Sequence, residues 1–102
     1  MVKEITVKAS DIPRGERKII DVDGISIAVF SIADKFYAID SACPHQGGPL
    51  GNGELVDGAT IVCPFHAWSF DVKTGINTKF DSIKVRSFPV KVDGDEIKIT
   101  IE

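Results

Sequence analysis

Three Asp-Gly dipeptides, Asp23-Gly24, Asp57-Gly58 and Asp93-Gly94, cut the chain into short stretches in which apolar and polar residues alternate. Both residues of such a pair tolerate positive φ, so Asp-Gly between alternating runs marks a tight β-hairpin. Arg17 to Val22 and Ile25 to Ile32 flank the first pair, Glu54 to Val56 and Ala59 to Val62 the second, and Arg86 to Val92 and Glu96 to Ile101 the third. Asp34-Lys35 adds a turn before Phe36 to Ile39, and Asp71 to Gly75 adds another with Gly75 suited to a left-handed position. Ile5 and Val7 alternate with Glu4, Thr6 and Lys8, as in a half-buried strand. No long segment carries apolar residues three and four apart, which leaves no candidate for a main helix. The expectation is an all-β antiparallel sandwich or small barrel.

Length and composition narrow the function classes. At 102 residues, with 43% hydrophobic and 26% charged, the chain reads as one folded domain with one core. A net charge of -3, with no basic stripe, argues against nucleic acid as the partner. The segment after Met1 lacks the roughly 7–15 consecutive apolar residues of a signal peptide, and nothing approaches the about 20 of a membrane span. The longest uninterrupted apolar stretch, Ile27 to Phe30, is strand-sized. A cytoplasmic protein, with no membrane partner, is the expected setting.

Two stretches break the alternation: Ser41 to Gly53 (SACPHQGGPLGNG) and Cys63 to Trp68 (CPFHAW). They hold both cysteines and both histidines of the chain, as Cys43-x-His45 and Cys63-x-x-His66, with 17 residues between the pairs. A Cys and a His this close on a tight turn can aim both donor atoms at one metal site. Pro44 and Pro64 stiffen each turn, and Gly47 and Gly48 let backbone N–H groups approach sulfur. The competing reading, two core cysteines and two incidental surface histidines, leaves this double pairing unexplained. Two thiolates with two imidazoles suit tetrahedral zinc, or a [2Fe–2S] centre with His on one iron. Zinc sites usually pair Cys with Cys on a knuckle and His with His on a helix. Here each loop gives one of each, an arrangement that suits two irons.

These residues resemble a known family. Cys43-Pro44-His45-Gln46-Gly47-Gly48 and Cys63-Pro64-Phe65-His66 are similar to the two cluster-binding loops of Rieske [2Fe–2S] proteins. A looser resemblance runs through Phe36 to Asp40, Trp68 to Asp71, Thr74-Gly75 and Ser87 to Val90. It implies an antiparallel β-sandwich of the Rieske type over residues 1–102, with a cluster-binding subdomain at about 41–82. It further implies a [2Fe–2S] cofactor, with Cys43 and Cys63 on the inner iron and His45 and His66 on the exposed one. The respiratory-complex type braces its cluster with a disulfide, but Gly48 and Phe65 stand at those places here. Trp68 and Phe70 stand where that type sets Ser and Tyr hydroxyls against sulfur. Hydrogen bonds to sulfur raise the potential, so their loss points to the low-potential ferredoxins that serve oxygenases. Core packing is the simple account of both aromatics.

The family's proline-rich loop has no counterpart in Ile76 to Ile83 (INTKFDSI), where Phe80 or a neighbour would close the site. Gln46, Pro49 and Leu50 are candidates for an apolar docking rim, and Asp40, Asp71 and Asp81 read as turn or strand-end residues. No nucleophile set or phosphate-cradling loop is legible, so the chain reads as an electron-transfer protein rather than an enzyme. The resemblance implies a flavin-dependent ferredoxin reductase as donor, a terminal oxygenase as acceptor, and a monomeric carrier. The alternatives are a small subunit of a larger reductase, such as nitrite reductase, and a zinc-stabilised binding module.

Overall fold

The structure, a computed structural model, describes residues 3–33, 35–41, 50–56, 58–63 and 68–101. Its strands are β1 (Lys3–Lys8), β2 (Arg17–Val22), β3 (Ile25–Ile32), β4 (Lys35–Asp40), β5 (Glu54–Val56), β6 (Thr60–Val62), β7 (Ser69–Asp71), β8 (Ser87–Phe88), β9 (Val90–Asp93) and β10 (Glu96–Ile101). Two short 3-10 turns, Ala9–Asp11 and Leu50–Asn52, are the only helical elements among the described residues. All pairings between strands are antiparallel. They build an outer sheet β1-β10-β9, a central sheet β2-β3-β4-β8 and a small sheet β5-β6-β7. The all-β antiparallel expectation is borne out.

The central sheet is covered on both faces. Ile27, Val29, Ala38 and Phe88 turn one way and pack with Ile97, Ile99 and Ile101 of the outer sheet. Ala28, Phe30 and Ile39, from alternate positions of β3 and β4, turn the other way and pack with Ile61, Phe70, Val72 and Cys63. Successive residues of a strand face opposite sides, so a strand between two layers must be apolar at every position. That is why Ile27 to Phe30 is an unbroken apolar run, and each of the four is 0% exposed. β1, half-buried at Ile5 and Val7 and exposed elsewhere, forms the edge of the outer sheet beside β10.

The turns follow the dipeptides, with shifts. Asp23 (φ 51) and Gly24 (φ 83) are both left-handed between the closing pair Val22 and Ile25, as a two-residue type I′ hairpin requires. Around the third dipeptide, Asp93 is itself paired with Glu96, so Gly94 (φ 62) and Asp95 form the loop. The turn expected at Asp34-Lys35 likewise moves back by one, because Lys35 pairs with Ile32 and Ala33 takes the positive φ of 47. Gly75 (φ 80) closes the Asp71 turn as expected, its N–H donating to the Asp71 carbonyl at 2.6 Å.

The single strand expected over Arg86 to Val92 is two strands. Ser87 and Phe88 pair with β4 of the central sheet, whereas Val90 onward pairs with β10 of the outer sheet. Pro89 lies between them, and lacking an N–H it cannot continue a ladder as donor. Its carbonyl still accepts from Thr100 N at 3.0 Å, so the chain changes layers there without leaving the sandwich. Because Ile99 fills the seam between these layers, Ile99→Ala is expected to lower the unfolding free energy by about 2–5 kcal/mol. Urea titration followed by far-UV circular dichroism measures this, and a loss near zero would contradict the packing.

Candidate metal centre

Of the four candidate ligands the structure describes Cys63. Cys43, His45 and His66 lie outside the described residues, as do Gln46 and Pro49. What is fixed is where the two ligand-bearing segments leave and rejoin the fold. Segment 42–49 leaves after Ser41, at the end of β4, and rejoins at Leu50. Its ends are tied together: the N–H of Gly51 donates to the Ser41 carbonyl at 3.3 Å and to its Oγ at 3.2 Å. Segment 64–67 leaves after Cys63 and rejoins at Trp68, and there the N–H of Cys63 donates to the Trp68 carbonyl at 2.7 Å.

These two closures lie against one another. Glu54 pairs with Val62 in the β5–β6 ladder, and the backbone of Gly53 lies directly on that strand. A Cβ at Gly53 would stand 1.8 Å from the Val62 carbonyl oxygen, so only glycine allows the approach. Gly51 is equally confined, with a virtual Cβ 2.5 Å from Ser41 Oγ and 2.6 Å from Ile19 Cδ1. The structure thus brings the root of the Cys43/His45 segment beside Cys63, the root of the Cys63/His66 segment.

Cys63 is 1% exposed, in a core with Leu50, Ile61 and Phe70. A thiol held in such surroundings suits an iron shielded from water, and two thiols with two imidazoles are the donor set of a Rieske-type centre. Phe70 is fully buried and Trp68 packs on the same core, in keeping with the packing account of both aromatics. Leu50 departs from expectation. It is 0% exposed and so forms no part of a docking rim. The 3-10 turn, closed by Gly53 N on the Leu50 carbonyl at 3.0 Å, places it in the core with Ile61, Cys63 and Phe70.

Beyond β7 the chain turns back alongside that strand. Thr78 N donates to the carbonyl of Ser69 at 3.0 Å, and the two hydroxyls are hydrogen-bonded. The Oδ1 of buried Asn77 accepts from Lys79 N at 2.8 Å and Phe80 N at 3.0 Å, which fixes a turn that leaves Phe80 56% exposed. Asp71 is the turn residue it was read as, its Oδ1 accepting from Lys73 N at 2.8 Å.

One residue of this region was not legible in sequence. Arg17, at the start of β2, donates from one terminal nitrogen to the carbonyls of both Gly51 and Gly53. Its guanidinium lies over the Phe30 ring, 5.5 Å from the centroid. In the sequence it is simply a polar residue opening an alternating strand.

The described fold is thus a β-sandwich in which a buried thiol, at the root of one Cys/His segment, is set against the root of another. The family model described as the Rieske [2Fe-2S] domain matches residues 3–89. This chain belongs to that family, and the cofactor of the family is a Rieske-type [2Fe–2S] cluster. It is 38% identical over 93 residues to the 3-phenylpropionate/cinnamic acid dioxygenase ferredoxin subunit of Escherichia coli (strain K12), covering 90% of this chain and 87% of that protein. It is also similar to the ferredoxin of carbazole 1,9a-dioxygenase from Nocardioides aromaticivorans IC177 (33% identity, TM-score 0.82, 92% of each chain). A chain in a complex of carbazole-bound oxygenase and ferredoxin shares the fold alone, at 24% identity and a TM-score of 0.86, over 28% of its own length. Both of the more similar relatives are ferredoxins of dioxygenase systems. No helix among the described residues is long and apolar enough to cross a membrane.

Gly53→Ala tests the contact between the two roots. Its Cβ meets backbone rather than a flexible side chain, so the expected cost is at least the about 1–3 kcal/mol of an overpacked core. Thermal unfolding should show a fall of several degrees, together with less iron per purified chain. An unchanged melting temperature would contradict the contact.

Proposed function

We propose that this chain takes one electron at a time from a flavin-dependent ferredoxin reductase and passes it to a terminal oxygenase, working as a monomer in the cytoplasm. In this reading residues 1–102 form a single Rieske domain whose cluster-binding subdomain spans about 41–82. Cys43 and Cys63 hold the inner iron, and His45 and His66 the outer one. The observation that carries it is the adjacency of the two segment roots at Gly53, Val62 and Cys63, with Cys63 buried. The oxygenase acceptor is supported by the dioxygenase ferredoxins to which the chain is similar.

When bound, the cluster supplies reversible one-electron exchange. The chain's contribution is to shield one side and expose the other. Burial of Cys63 among Leu50, Ile61 and Phe70 closes the thiolate side to water and to partners. His45 and His66 would then be the ligands on the side open to partners. Two thiolates and two neutral imidazoles would hold an oxidised two-iron, two-sulfide group at no formal charge, whereas four thiolates would leave it more negative and harder to reduce. The net charge of -3 fits a docking partner that offers basic residues.

The pH dependence follows from the same charges. The added electron holds the outer N–H protons of both imidazoles more tightly, raising their pKa values relative to the oxidised state. Above the ionisation of the oxidised imidazoles, reduction therefore takes up a proton. The potential should fall as pH rises, with a limiting slope of about 59 mV per pH unit for one proton and one electron. Protein-film voltammetry from neutral to alkaline pH measures it, and a flat profile would count against histidine ligation.

The direct test is pulsed electron paramagnetic resonance on the dithionite-reduced protein. Nitrogen hyperfine couplings from two imidazoles are expected, with loss of the signal in Cys63→Ser. A colourless protein containing zinc, or a cluster without nitrogen coupling, would overturn the reading.

A further inference from the structure

Arg17, at the start of β2, reaches across to the 50–53 turn. One of its terminal nitrogens bonds two backbone carbonyls, those of Gly51 and Gly53, which lie 34 and 36 residues farther along the chain. The other side of the link is equally fixed. The guanidinium rests on Phe30, whose 0% exposed ring belongs to the same core as Cys63. Ile19, two residues on and on the same face of β2, presses its Cδ1 on Gly51. Carbonyls that accept from a guanidinium make charge-assisted hydrogen bonds, stronger than bonds between neutral groups. A planar fork stacked on a ring also loses little freedom in forming them.

We propose that Arg17 is a positioning residue for the cluster. It clamps the 50–53 backbone against Val62 and so fixes the distance between the root of the Cys43/His45 segment and Cys63. The proposal rests on the ligand reading above, because it matters only if both segments hold one centre. The clamp works through Gly51 and Gly53, whose backbones are already confined by Ser41 on one side and the Val62 carbonyl on the other. Without it, the turn keeps its contacts with Ser41, Val62 and the Ile19 methyl but loses both charge-assisted bonds to β2, and the two roots are held less firmly relative to each other. A centre with four ligands on two independently moving roots should be held less uniformly and lost more readily.

The test compares Arg17→Met, which keeps an unbranched apolar stem but removes the donors, with Arg17→Lys, which keeps the charge and a donor. Lys18→Met is the control, since Lys18 lies on the opposite face of the same strand and its ammonium is exposed. All are made as full-length protein with the cluster loaded. Loss of the visible charge-transfer bands in excess ferrous chelator is expected to be about tenfold faster in Arg17→Met. The reduced protein should also show broadened g-values in electron paramagnetic resonance. Arg17→Lys should fall between Arg17→Met and wild type on both readouts, and Lys18→Met should match wild type. Wild-type loss rate and line shape in Arg17→Met would overturn the proposal. So would a shifted potential with both of those unchanged, because that is the signature of a distant charge and not of position. Should Arg17→Met fail to fold, Arg17→Lys decides on the same two readouts, and wild-type values in it overturn the proposal. The wild-type nitrogen couplings test the ligand reading, whereas the differences between variants test the clamp, so each can fail separately.

Discussion

Everything in this molecule is arranged about a strand that has no wet side. β3 runs between two layers, and its residues from Ile27 to Phe30 alternate between them, two toward the outer sheet and two toward the small sheet. A strand of this kind cannot slip in register without exchanging the contents of both cores at once. It therefore acts as a fixed reference for the rest. Phe30 is the point of contact on the side that matters for function, since it shares a core with Cys63 and supports Arg17.

On that reference the chain builds a metal centre chiefly out of backbone. Ser41 with Gly51, and Cys63 with Trp68, each close one ligand-bearing segment at its root. Gly53 then allows the two roots to touch. Backbone closure leaves side chains free to be ligands or packing, which is economical in a chain with only two cysteines and two histidines. The core around Cys63 is apolar, with Arg17 and buried Ser41 at its edge, both bonded to the 50–53 turn. Electron transfer needs little more from a protein than this: a shielded side, an open side and ligands that hold their places.

The strands and the hairpins were legible because each depends on local pattern. Alternation sets the strands, and the left-handed demand of a two-residue turn picks out Asp23-Gly24 and Gly75. The shifts at Ala33 and Gly94 show the limit of that rule. A dipeptide marks a turn, while the pairing of its flanking residues decides which positions are in it. Pro89 was read inside one strand because apolar residues continue on both sides of it, and nothing local reveals that they belong to different sheets. Leu50 looked like surface because its neighbours are glycines, prolines and polar groups, yet tertiary packing buries it. Arg17 lies more than thirty residues from the carbonyls it bonds, so no spacing rule could have found it.

The pairing of β1 with β10 sets Lys3 opposite Ile101, so the first and last described strands run side by side in the outer sheet. The small sheet, whose strand β6 leads into Cys63, is on the far side of the central one. A fold whose first and last described strands are neighbours can be joined to another polypeptide at a single point of attachment. Such a joint leaves the small sheet in the opposite layer uncovered. That geometry accounts for how the same fold can occupy 28% of a much longer chain.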